Sequence, residues 1–84
     1  MNKTQEKLKK ETEKWLEKLE EKLMEKKEVE DLDAVDEMEN VEAYRSDTYH
    51  FLEEEDFIQA WESVIYAWGI LETLERLGLF KEKD

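Results

Sequence analysis

Three stretches of the chain place apolar residues three and four positions apart, the spacing of one face of an α-helix. In the first, Leu8, Thr12, Trp15, Leu16, Leu19 and Leu23 share a narrow stripe, which predicts a helix over about residues 3–27. Its opposite side is ordered by charge. Lys10, Lys14, Lys18, Lys22 and Lys26 form one row at i+4, and Glu13, Glu17, Glu21 and Glu25 form the next. Pairs such as Lys14–Glu17 attract across the rows at i+3, each contributing about 0.2–0.5 kcal/mol, and the pattern reads as a solvated face.

The second stretch, Met38, Val41, Tyr44, Thr48, Phe51 and Leu52, predicts a helix over about residues 33–53. No glycine or proline marks the break before it, so the run from Glu28 to Asp33 reads either as a connector or as a helix end. The third helix is predicted over about residues 56–77. Asp56 is a good N-cap with Gln59 three residues on, a capping-box spacing, and Glu53, Glu54 and Glu55 suit the positive end of the helix dipole. Gly78 stops it, with Leu79 expected to fold back on Leu74 in a Schellman arrangement. Residues 81–84 are expected to be a frayed polar tail.

Phe57, Ala60, Trp61, Val64, Ala67, Trp68, Leu71 and Leu74 give the third helix its core stripe. Ile58, Ile65, Tyr66, Ile70 and Leu77 widen that stripe past half the circumference. A last helix that touches both others accounts for most of this width. Any remainder is an exposed apolar patch and a candidate interface.

Composition agrees with an all-α fold in a single helical domain. The 84 residues include no proline, two glycines and abundant Glu, Lys and Leu. No cysteine is present, which excludes disulfides, cysteine-ligated metals and thiol catalysis, and one histidine excludes sites built from several imidazoles. No apolar run approaches a membrane span and no signal peptide is evident, so a cytoplasmic location is expected. The net charge is −12, from 25 acids against 13 bases. Residues 1–27 carry nine Lys against seven Glu, and residues 57–84 carry five acids against three bases. Residues 28–56 hold thirteen acids against Arg45 alone, so the excess sits in the middle segment. That balance opposes nucleic acid, whose affinity comes largely from Lys and Arg on phosphates.

The second half carries the pattern Tyr44-x2-Asp47-x3-Phe51-Leu52-x3-Asp56-x3-Ala60-x5-Tyr66-Ala67-x3-Leu71-x6-Gly78-Leu79-Phe80. Over about residues 41–80 it resembles a small archaeal family known as domain of unknown function 357. The first helix resembles the family only in being charged and amphipathic. The resemblance implies an up-and-down three-helix bundle with a left-handed twist, similar to the immunoglobulin- and albumin-binding bundles, and it implies no activity. Glu55 stands where members often have glycine, which implies a less tight turn, and Glu72 stands where aspartate is usual. The matching residues also have plain folding roles: Asp56 caps, Ala60 and Ala67 permit close helix approach, and Gly78 terminates.

Three constellations could carry chemistry. Arg45 and His50 have the R-x4-H spacing that resembles a helical, dimeric ribonuclease signature, with Arg on phosphate and His as general base. Against it, the two lie about 140° apart on a helix, in the most acidic segment. The run Asp31, Asp33, Asp36, Glu37, Glu39 and Glu42 has hard-cation ligands, but it fails as an EF-hand and reads as a solvated acidic surface. Asp47 and His50 supply only half of a di-iron carboxylate pattern. No catalytic, cofactor or metal residue is therefore assigned, and no cofactor is expected. The reading is a non-enzymatic interaction or self-association module, with an unknown protein partner or a homodimer, no nucleic acid and no membrane. Its candidate surface joins Ile58, Trp61, Ile65 and Trp68 to Asp31, Asp33, Asp36 and Glu37. The alternative is a ribonuclease-like or nucleotide-processing protein built on Arg45 and His50.

Overall fold

A computed structural model describes residues 1–25, 27–29 and 32–82, with 27–29 and 80–82 described by their backbone. The order is α1 (Lys3–Met24), β1 (Lys27–Val29), α2 (Leu32–Glu53), α3 (Phe57–Arg76) and β2 (Phe80–Glu82). Three long helices make an all-α bundle 44 Å long.

The bundle is organised around α3, which packs against both other helices. Trp15 of α1 meets Trp68 edge to face with ring centroids 5.3 Å apart, and Lys22 reaches Glu75 at 2.7 Å. Low numbers of α1 thus face low numbers of α3, and the two run parallel. Tyr44 of α2 meets Tyr66 at 5.6 Å, while Ala34 near the start of α2 lies by Leu74 near the end of α3, so these two run antiparallel. The core is the cluster Leu16, Leu19, Val41, Val64, Ala67 and Leu71. Ala60 and Ala67 are fully buried, and their short side chains let the neighbouring helices come close. Two threonines are also fully buried. Thr12 donates to the Leu8 carbonyl at 2.7 Å and Thr48 to the Tyr44 carbonyl at 2.8 Å, so each hydroxyl is satisfied inside its own helix.

The helix ends follow local chemistry. Asn2 caps α1 by accepting from the Gln5 amide at 2.8 Å, and the Gln5 side chain accepts the Asn2 amide in return. Asp56 caps α3, accepting from the Gln59 amide at 3.2 Å. The reciprocal half of that box is not formed. The Asp56 N–H is already bound to the Phe51 carbonyl at 2.9 Å, and the Gln59 side chain donates to the Asp56 carboxylate instead.

Glu55 does not loosen the α2–α3 turn. It takes a left-handed backbone, φ 59°, and the turn closes through Glu55 N–H to Leu52 and Asp56 N–H to Phe51. This is the Schellman geometry that glycine would serve without strain, and a glutamate there costs about 1 kcal/mol. The other end of α3 closes as the sequence pattern predicts. Gly78 has φ 67°, its N–H reaches the Glu75 carbonyl, and the Leu79 N–H reaches the Leu74 carbonyl at 3.1 Å.

One pairing is absent from the hydrophobic pattern. Helix α1 stops at Met24, and β1 pairs antiparallel with β2 in the register Lys27 to Glu82 and Val29 to Phe80. Lys81 and Glu82, expected in a frayed tail, belong to this two-stranded ladder. The segment after α3 is thereby tied to the α1–α2 connector.

Candidate functional site

A broad depression lies between the start of α2 and the C-terminal half of α3. It is a groove of about 700 Å³. Ile65, Tyr66, Gly69, Ile70, Thr73, Leu74 and Leu77 of α3 form its floor and one wall, Asp33, Ala34 and Glu37 form the other wall, and Leu79 closes its end. Leu79 is placed there by the left-handed turn at Gly78, which reverses the chain just past α3.

Gly69 gives the floor its particular shape. It sits in the middle of α3, and a Cβ at this position would meet nothing within 4 Å. No packing among the described residues therefore calls for glycine here, although glycine inside a helix costs about 1 kcal/mol relative to alanine. Along the same side Tyr66 is 51% exposed and Leu77 is 65% exposed, large apolar areas facing water beside the bare backbone. Thr73 donates to the Gly69 carbonyl at 2.8 Å, so its hydroxyl is turned back onto the helix and its methyl is left to the groove.

The sequence-derived surface residues separate into different environments. Ile65 lines the groove, and so do Asp33 and Glu37 from the acidic set. Asp36 is exposed on the same turns of α2 but does not line the groove, and Asp31 lies outside the described residues. Trp68 is half-buried against Trp15, with the Lys22 ammonium 4.9 Å from its ring, so it holds α1 to α3. Trp61 lies against Leu8, Lys7 and Glu11 of α1. Ile58, 68% exposed, sits at the far end of the bundle near Asn2 and Thr4. Residue spacing had marked Tyr66, Ile70 and Leu77 as surplus apolar positions. Gly69, Ala34 and Thr73 carry no hydrophobic signal, although a glycine in mid-helix is itself a visible anomaly.

The Arg45–His50 pair is not assembled. The Arg45 guanidinium binds Glu20 of α1 at 3.1 Å and Glu42 at 3.2 Å, while His50 is exposed with its ring against Phe51. Tyr49 donates its hydroxyl to the same Glu20 carboxylate. The Tyr49 hydroxyl holds the Glu20 carboxyl below its ordinary range; burial opposes this, and Arg45 adds to the lowering. The same contact with Glu20 pushes the Tyr49 phenol up, with burial adding to it, and raises Arg45. This trio pins α1 to α2; it does not present a cation to phosphate. Among the described residues no group of three His, Asp or Glu side chains converges as a metal-ligand set. No helix among them is long and apolar enough to cross a membrane.

No curated protein matches the chain. A crystal structure of a protein from Archaeoglobus fulgidus, assigned to the same family model as this chain, superposes with a TM-score of 0.79 at 40% sequence identity. The match covers 95% of this chain and 99% of that one. The family model described as "Protein of unknown function (DUF357)" matches residues 7–80. It therefore takes in most of α1, well beyond the stretch that carries the pattern from Tyr44 to Phe80. The chain belongs to this family.

Proposed function

We propose that the chain is a non-enzymatic interaction module whose docking surface is the α2–α3 groove. The observation that carries this reading is Gly69: a helix-weakening residue on an open apolar floor, where no described residue of the chain takes up the space. Bare backbone at that point allows another main chain to approach closely, and the flanking Tyr66, Ile70 and Leu77 supply the apolar area that association buries. A groove between two helices is also a common seat for an amphipathic segment.

Site-specific photo-crosslinking tests the reading. A photoreactive residue replaces Thr73 in the groove, and in a second protein Glu13 on the far side of α1. Both are irradiated in an extract of the source cells. A discrete adduct from position 73 and none from position 13 is expected. Equal labelling from both positions, or none from either, refutes the groove as the docking surface.

A further inference from the structure

Resting on that reading of the groove, we infer that its occupant is a basic amphipathic helix of about three turns belonging to another protein. From Ile65 to the C-cap Leu77 the floor spans twelve residue steps, about 18 Å at the helical rise, which sets the length of the docked segment. The floor is apolar and the α2 wall is acidic. Glu37 lines it and exposed Asp36 stands beside it on the same turns, while Asp33, which has a partner within the chain, completes the wall. A helix lying here sets its apolar stripe on Ile65, Ile70 and Leu77 while its flank runs along those carboxylates. Lysine or arginine on that flank is the complementary choice, and it also speeds encounter with a segment of net charge −12.

A second copy of this chain fits less well. A two-fold interface sets the same patch against itself, which brings the two acidic walls together. The basic surface of the chain is on α1, whose apolar face, Leu16 and Leu19, is buried inside the bundle and unavailable to a neighbour.

The test uses two labelled helical peptides of about fifteen residues. One has leucine along one face and lysine on both flanks, and the other has glutamate in place of every lysine. Binding to the full chain is followed by fluorescence anisotropy. The lysine peptide is expected to bind, with the glutamate peptide at least about tenfold weaker. The double variant Asp36→Asn, Glu37→Gln weakens the lysine peptide about tenfold, and Gly69→Leu, which fills the floor, does the same with helical content kept and a thermal midpoint no lower than the parent's. Equal binding of both peptides, or indifference to the double variant, overturns the basic partner but leaves the groove as a docking surface. Indifference to Gly69→Leu locates the peptide elsewhere and overturns the inference. If neither peptide binds and light scattering finds a dimer that Gly69→Leu dissolves, the occupant is a second copy; if neither binds and the chain is a monomer, the basic helix is refuted as well.

Discussion

Replacing Gly69 by alanine adds one methyl group to the exposed side of α3, and its effect on the free chain can be worked out from the surroundings. The new Cβ has no neighbour within 4 Å, so there is neither a clash to relieve nor a contact to gain. What remains is backbone entropy. Glycine samples more of conformational space in the unfolded chain than alanine does, and a helix interior takes that freedom away. The difference in an exposed helix is about 1 kcal/mol in favour of alanine. For 84 residues, with an unfolding entropy of about 2.1 cal/mol/K per residue, this raises the midpoint by about 6 °C. Thermal and urea unfolding followed by far-UV circular dichroism will show it, with the urea slope unchanged because the exposed surface changes little. A midpoint that stays put or falls would mean that side chains already occupy the space over Gly69 in the free protein. The open floor, and the functional reading built on it, would then be wrong.

Other substitutions probe the frame that holds the groove. Glu55→Gly relieves the left-handed strain in the α2–α3 turn and is expected to stabilise the chain by up to about 1 kcal/mol in urea unfolding, although glycine is ordinarily a poor choice. Leu19→Ala removes a side chain with no exposed surface from the centre of the core and should cost about 3–4 kcal/mol by the same measurement. Thr48→Val exchanges a self-satisfied buried hydroxyl for a methyl and should shift stability by less than about 1 kcal/mol; a larger loss would show that the Tyr44 carbonyl depends on that hydroxyl. Tyr49→Phe tests the Glu20 trio through pH. Glu20 is lowered in the folded state, so its contribution is present above its ordinary pKa of 4.5 and is lost as pH falls through the lower folded value. Tyr49 is raised, so its contribution is present below its ordinary pKa of 10.0 and is lost as pH rises through the higher folded value. The midpoint gap between parent and Tyr49→Phe should therefore be widest near neutrality and close at both extremes. A gap that does not change with pH would refute the assigned contact.

How much of this could be read from residues alone depended on whether the cause was local. The Schellman end at Gly78, the cap at Asp56 and the apolar stripe from Phe57 to Leu74 need only near neighbours in sequence, and all are present. The β1–β2 ladder was hidden because it pairs Lys27 with Glu82 across two helices, and three-residue strands leave no periodicity to detect. The fate of the tryptophans was hidden for a related reason. A stripe position says that a side chain is apolar and on a given face, but only the angle between helices decides whether Trp68 meets Trp15 or water. The apolar and acidic residues of the candidate surface divided accordingly. Ile65, Asp33 and Glu37 converge on one groove, while Ile58, Trp61 and Trp68 lie along or beyond the α1 contact.

The groove is also where the chain departs from its own rules. Elsewhere caps and packing mostly agree, with the strained Glu55 and the exposed Met24, Leu32 and Ile58 as exceptions: both fully buried threonines are satisfied within their helices, the two αL positions are closed by paired hydrogen bonds, and the core alanines sit where helices approach. Along the groove a glycine weakens a helix without a packing reason, and Tyr66 and Leu77 leave apolar surface in water. Stability alone favours alanine at position 69 and a polar residue at position 77. Departures of this kind collect at sites where something other than the fold sets the residue. The groove is moreover held in shape at one end by the turn and the ladder that follow α3. The turn at Gly78 sets Leu79 at its end, and the ladder beyond fixes that turn to the α1–α2 connector, next to the acidic start of α2. Loss of the ladder should therefore open the end of the groove while leaving the six-residue core cluster intact. Deleting residues 80–84 is expected to weaken the lysine peptide with little change in thermal midpoint, and a collapse of the midpoint instead would assign the ladder to folding rather than to the site.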